Sequence, residues 1–92
     1  MEKDKAMTIH EFKKWILTTE ASYRYQLLDR MKSDCLYFLG YGAGGSRLWG
    51  GTINEHIEFM QMLYGLLAEK PEWLTIEEIK QFKHDMNKKS AN

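Results

Sequence analysis

Residues 22–42 read SYRYQLLDRMKSDCLYFLGYG, and this run decides the fold. Leu27, Met31, Cys35 and Phe38 recur at helical spacing with Leu28 and Leu39 at their edge, so a helix of 3.6 residues per turn gathers them on one side. The spacing predicts a helix over residues 22–39. It stops at Gly40 or Gly42, because glycine takes the left-handed closing conformation without a side-chain penalty. Two polar residues interrupt the apolar stripe: Asp34 and Arg24 fall within it or beside it.

Working outward, three further helix starts share one device. TIHE at Thr8, TINE at Thr52 and TIEE at Thr75 all fit the capping box, in which a threonine oxygen accepts the third amide of the helix and a glutamate returns to the cap amide. Each box opens an apolar pattern of helical period. Residues 9–17 would bury Ile9, Phe12, Trp15 and Ile16. Residues 53–68 would bury Ile53, Ile57, Met60, Leu63, Tyr64 and Leu67, widened by Phe59 and Leu66, with Pro71 barring continuation. Residues 76–86 offer Ile76, Ile79, Phe82 and Met86. The fold class is therefore all-α, a small bundle of about four helices with a glycine-rich linker between the second and third. These two are expected to be the longest and to pack antiparallel at the centre.

Length and composition set the scale. A chain of 92 residues with 43% apolar residues and three tryptophans is expected to form a single helical domain over residues 1–92. Its N-terminus (1–7) would be frayed and its C-terminal tail (87–92) basic. A core this small leaves room for a dimer that shares it. No apolar run approaches the roughly 20 residues that cross a bilayer, and the start MEKDKAM lacks an apolar signal segment. The expectation is a cytoplasmic protein with no membrane contact. Cys35 is the single cysteine, which fits a reducing compartment and, in an apolar stripe, a core position rather than a nucleophile. Thirteen basic residues balance thirteen acidic ones, so the chain lacks the positive field of a dedicated nucleic-acid binder. The local exception is Lys80, Lys83, Lys88 and Lys89, which suit either a phosphate backbone or simply a solvated helix end.

Candidate chemistry rests on misfits. His56 falls inside the stripe of the third helix, and an antiparallel pairing brings residues 34–36 level with residues 56–58, so Asp34 and His56 are expected to meet. Buried polar groups are costly unless paired. The pair reads first as structural, fixing helix register, and second as a general-base dyad. A dyad would still need a nucleophile, for which only Tyr37, Ser33 and Ser46 offer themselves. Glu55 or Glu58, with His10 or His84, would have to complete a metal site. Neither HExxH nor CxxC occurs, so no metal and no cofactor are expected. Residues 41–51 hold five glycines but no phosphate-loop signature; the segment shapes itself around a ligand or is a long connection pinned by Leu48 and Trp49. Tyr23, Arg24 and Tyr25 form an aromatic–arginine group suited to a protein partner or stacked bases, unless they close one end of the bundle. Trp49 and Trp73 beside helix entrances are interaction candidates or loop staples.

Through YRYQLLDRMKSDCLYFLG, then LW at Leu48, EHIEFM at Glu55 and KPEWLT at Lys70, the chain resembles the small large-polyvalent-protein-associated domains over roughly residues 8–86. The resemblance implies a helical accessory module found in large proteins of phages and conjugative elements and as short free-standing proteins, with no catalytic residues to carry over. The glycines of residues 42–51 depart from the more polar linker that the resemblance implies. The expected function is a non-enzymatic protein-interaction or accessory protein of a mobile genetic element, binding an unidentified protein or itself as a dimer. The alternative is a nucleic-acid-associated accessory protein. Third comes a small hydrolase or metalloenzyme built on Asp34 and His56.

Overall fold

The structure is a computed structural model and describes residues 8–41, 48–49 and 52–91. Four α-helices follow one another among these residues: α1 (Ile9–Ile16), α2 (Ala21–Tyr41), α3 (Ile53–Leu66) and α4 (Ile76–Ala91). The described residues form no strand, so the all-α architecture expected from capping and periodicity is the one observed.

The caps form where the sequence places them. Thr8 and Glu11 make the complete reciprocal box, with both bonds at 3.0 Å. Thr75 and Glu78 repeat it at 2.8 and 3.1 Å. At Thr52 the hydroxyl accepts the Glu55 amide at 3.1 Å, and the Glu55 carboxylate accepts from that same hydroxyl at 3.2 Å. That geometry keeps the first half of the box.

α3 is the hub and packs against all three other helices. Its broadest interface is with α4, reached by the short connection 67–75; Asn54 at the start of α3 meets Asn87 near the end of α4, so the two helices form an antiparallel hairpin. α1 lies on α3 through the rings of Phe12 and Phe59, stacked 4.6 Å apart. α2 meets α3 around Met31 and Cys35 on one side and His56 and Met60 on the other. The core runs through all four helices: Phe12 and Ile16, Leu27, Leu28, Met31, Cys35 and Phe38, Ile57, Phe59, Met60 and Leu63, Ile79 and Met86, with Leu48, Leu67 and Leu74 from the connections.

Four boundaries differ from expectation. α2 passes through Gly40 to Tyr41, since glycine permits a helix end without enforcing one; the alternative stop at Gly42 and the ligand role of the glycine-rich segment lie outside the described residues, as do residues 1–7. α3 ends at Leu66, two residues early, because Leu67 turns to extended backbone (φ −75°, ψ 130°) and sinks its side chain into the core. α1 ends one residue early, where the Thr18 and Thr19 hydroxyls donate back to the carbonyls of Trp15 and Ile16, each at 2.6 Å. α4 continues through the lysines to Ala91, helped by acids in its first turn and Lys88 and Lys89 in its last, both favourable with the helix dipole. With 16 residues it is longer than α3 with 14, so α2 and α4, not α2 and α3, are the longest.

Two substitutions check this packing. Leu63→Ala at a fully buried site should lower the unfolding free energy by about 2 to 5 kcal/mol, whereas Leu36→Ala, on the outside of α2, should change it by less than about 0.5 kcal/mol. Denaturant midpoints at unchanged slope measure both. Gly40→Ala should instead stabilise by about 0.5 to 1 kcal/mol, because a Cβ there would meet nothing within 4 Å; a loss of stability would show that the helix does not run through this residue.

Candidate functional site: the buried histidine between α2 and α3

His56 lies in the first turn of α3, where its amide donates to the carbonyl of the cap residue Thr52 at 3.0 Å. The cap fixes the helix phase, and that phase turns the imidazole inward until it is fully buried. The amide N–H of Trp49 donates to Nδ1 at 2.9 Å. Nδ1 therefore accepts, the proton sits on Nε2, and Nε2 donates to the carbonyl of Met31 at 3.1 Å. One neutral ring thus joins α3 to α2 and to the chain arriving at α3, with both nitrogens satisfied. Burial pulls its pKa below the ordinary 6.5, against the opposing effects of the Met31 carbonyl and the charge of Asp34.

Asp34 is buried on α2 as its stripe position requires. Its charge reaches His56, but the direct hydrogen bond expected between them is replaced by the bonds to Trp49 and Met31. The reason is the crossing: contacts pass from Met31–His56 to Cys35–Met60, the same sense along both helices and not the antiparallel sense expected, so His56 meets Met31, one turn before Asp34. On the outer side, Arg30 stands 3.9 Å from the Asp34 carboxylate. Cys35, the next residue, is buried with its thiol 3.6 Å from the Met60 sulfur. Burial, and secondarily the Asp34 charge, push that thiol up to about 12, so it stays protonated at neutral pH. Among the described residues no three His, Cys, Asp or Glu side chains gather as a metal-binding group. Ser33 and Tyr37 lie on the exposed side of α2, and His10, Glu55, Glu58 and His84 are likewise exposed; Ser46 lies outside the described residues.

The aromatic and cationic candidates divide between framework and surface. Arg24 closes the C-terminus of α1: its guanidinium donates to the carbonyls of Ile16 at 3.1 Å, Leu17 at 3.3 Å and Thr19 at 2.8 Å. The hydroxyl of Tyr25 donates to the carbonyl of Glu69 at 2.6 Å and fastens α2 to the α3–α4 connection. Trp49 is half-buried, edge-on to Phe12 at 5.8 Å and stacked near Trp15 at 6.2 Å. Tyr23 stands edge-on to Trp15 with 39% of its surface exposed. Trp73 is equally exposed; Lys32 donates to its carbonyl at 2.6 Å and lies 5.8 Å from its ring centre. Lys80, Lys83, Lys88 and Lys89 are all exposed on α4.

Sequence reasoning missed Lys70. Its ammonium gathers the carbonyls of Tyr64 at 2.9 Å and Leu67 at 2.8 Å and sits over the Tyr64 ring, closing α3 where no glycine stands. A cation a few residues beyond a helix end is the signal that finds such a cap, and Arg24 beyond Thr19 repeats it. Sequence reasoning also misses the exposed Leu36 and Tyr41 on α2, because residues that fall off an apolar stripe are read as solvated.

The state of Cys35 is directly measurable. Native protein should react with a soluble thiol reagent at least about a hundredfold more slowly than denatured protein at the same pH, as expected of a buried, protonated thiol. Equal rates would place Cys35 outside the core.

No helix among the described residues is long and apolar enough to cross a membrane. No curated protein and no solved structure matches the chain. The sequence profile of the family described as Large polyvalent protein-associated domain 11 matches residues 21–86, from the first residue of α2 to Met86 of α4, and leaves α1 outside. That stretch holds the α2 stripe, the His56 crossing and the α3–α4 hairpin, and the chain belongs to the Large polyvalent protein-associated domain 11 family.

Proposed function

We propose that this chain is a non-enzymatic accessory domain of a mobile genetic element, acting in the cytoplasm by binding another protein. The observation that carries this reading is the saturation of His56. A general base needs a ring nitrogen that can reach a substrate, and here one nitrogen holds Trp49 and the other Met31. Cys35, the thiol in the core, is buried and protonated. Groups that could do chemistry are spent on architecture, while apolar groups remain outside.

Of the residues singled out for interaction, Arg24, Tyr25 and Trp49 have internal duties, which leaves Tyr23 and Trp73 as the contact residues of choice. Both are rigid, amphipathic and partly exposed, qualities that recur at the centres of protein interfaces. A second copy of the chain is the simplest competing partner.

One observation favours nucleic acid as a second reading. On a helical wheel Lys80, Lys83, His84 and Lys88 fall on one side of α4 with Glu77 among them, and all four are exposed, Lys83 at the edge nearest the core, whereas Lys89 lies across the helix near Glu78 and Asp85. Such a stripe can follow a phosphate backbone.

A capture experiment from the native host, paired with mass in solution, separates the readings. One defined protein partner, lost with Tyr23→Ala and Trp73→Ala while the helical content persists, is the expected result. A mass twice that of the chain with no other partner would make the protein a self-associating one. Retention on DNA in low salt, weakening steeply as salt rises and abolished by K80E/K83E/K88E, would replace the protein-binding reading by the nucleic-acid one.

A further inference from the structure

We propose that His56 is a protonation-controlled latch: uncharged, it holds Leu48 and Trp49 against the α2–α3 crossing, and on taking up a proton it releases them and uncovers the aromatic face of α1 and α3. The two bonds of the ring respond differently to a proton. Nε2 donates to the Met31 carbonyl in either charge state. Nδ1 accepts from the Trp49 amide only while it carries no proton. A proton taken from solvent at Nδ1 sets two N–H groups against each other across a 2.9 Å contact, so the helix-to-helix bond survives and the bond to the incoming chain breaks.

What that bond holds is considerable. Leu48 is buried in the common core. The Trp49 ring stands edge-on to Phe12 and stacks near Trp15, and Phe12 in turn stacks on Phe59 of α3. Freeing Trp49 therefore opens a contiguous aromatic surface that reaches from α1 to α3.

The charged groups around the ring decide where the latch trips. From α2, Asp34 favours the charged ring, with Arg30 at 3.9 Å from its carboxylate partly offsetting that pull; the thiol of Cys35 remains neutral. On α3 itself, Glu55 is engaged by the Thr52 hydroxyl, and the positive end of the helix opposes a cation in its first turn. The buried residues of α1 and α4 are apolar. Burial outweighs Asp34, and the latched ring binds a proton less readily than a free histidine with its ordinary value of 6.5. The sign follows: the released form binds more protons, so the latched form is fully favoured above about pH 6.5 and loses ground below it. The release constant rises by up to about tenfold per pH unit until the latched ring itself is protonated.

Nitrogen-15 and proton NMR on the full chain tests the latch, following the His56 ring nitrogens and the Trp49 amide through an acid titration. The expected result is a neutral Nε2–H ring at pH 7, a midpoint below 6.5, and displacement of the Trp49 amide with the same midpoint. Asp34→Asn should move that shared midpoint to lower pH, and His56→Gln should abolish the displacement. A His56 ring that titrates at or above 6.5, or a Trp49 amide that stays in place while His56 titrates, overturns the proposal. Should His56→Gln fail to fold, the coincidence of the two wild-type midpoints decides the matter alone.

Discussion

The structure depends on one buried imidazole. α2 and α3 are separated in sequence by a long glycine-rich connection, and chain-closure entropy works against bringing them together in one fixed register. His56 supplies a fixed register through hydrogen bonds to a carbonyl of α2 and an amide of the arriving chain. Because the ring is fully buried, either bond left unmade would strand a polar group at a cost of about 1 to 3 kcal/mol. That penalty defines the crossing more sharply than the apolar contacts around it, since leucine and methionine side chains tolerate small slips that a hydrogen bond does not.

Around this crossing the same economy recurs. Helix ends that glycine commonly closes are closed here by cations from the following segment: Arg24 gathers the Ile16 carbonyl of α1 and that of Thr19 just beyond it, and Lys70 the Tyr64 carbonyl of α3 and that of Leu67 just beyond it. Tyr25 and Lys32 then fasten α2 to the α3–α4 connection by its carbonyls at Glu69 and Trp73. Residue types that are common at interaction surfaces are thus largely consumed in holding a small domain together. The family match begins with α2, yet α1 shares the core through Phe12 and Ile16. In this chain, α1 covers a face of α3 that lies within the matched stretch.

Local physics made most of the fold legible. A threonine and a glutamate three residues apart state a helix start without reference to the rest of the chain, and the stripes of α2 and α3 follow from spacing alone. Ends were less legible. Gly40 permits a stop that tertiary packing does not require, and the early end of α3 reflects the pull of the core on Leu67, which no local pattern records. For the site, burial of Asp34 and His56 was legible because both fall on apolar stripes. Their partners were not, because partnership depends on how α2 and α3 cross: Met31 meets His56 and Cys35 meets Met60, so the contacts advance in the same sense along both helices, against the antiparallel order assumed from the sequence. The amide of Trp49 was invisible for another reason: backbone groups carry no sequence signature, and only knowledge of where the incoming chain passes reveals them.

The central claim is that His56 is a neutral structural bridge between α2, α3 and the chain at Trp49. The most direct measurement is scalar coupling across the hydrogen bond, recorded on uniformly nitrogen-15-labelled protein at neutral pH. A coupling between the Trp49 amide nitrogen and His56 Nδ1, with the ring proton on Nε2, is the result this account predicts. A proton on Nδ1, with no coupling to Trp49, would contradict it and return the ring to Asp34.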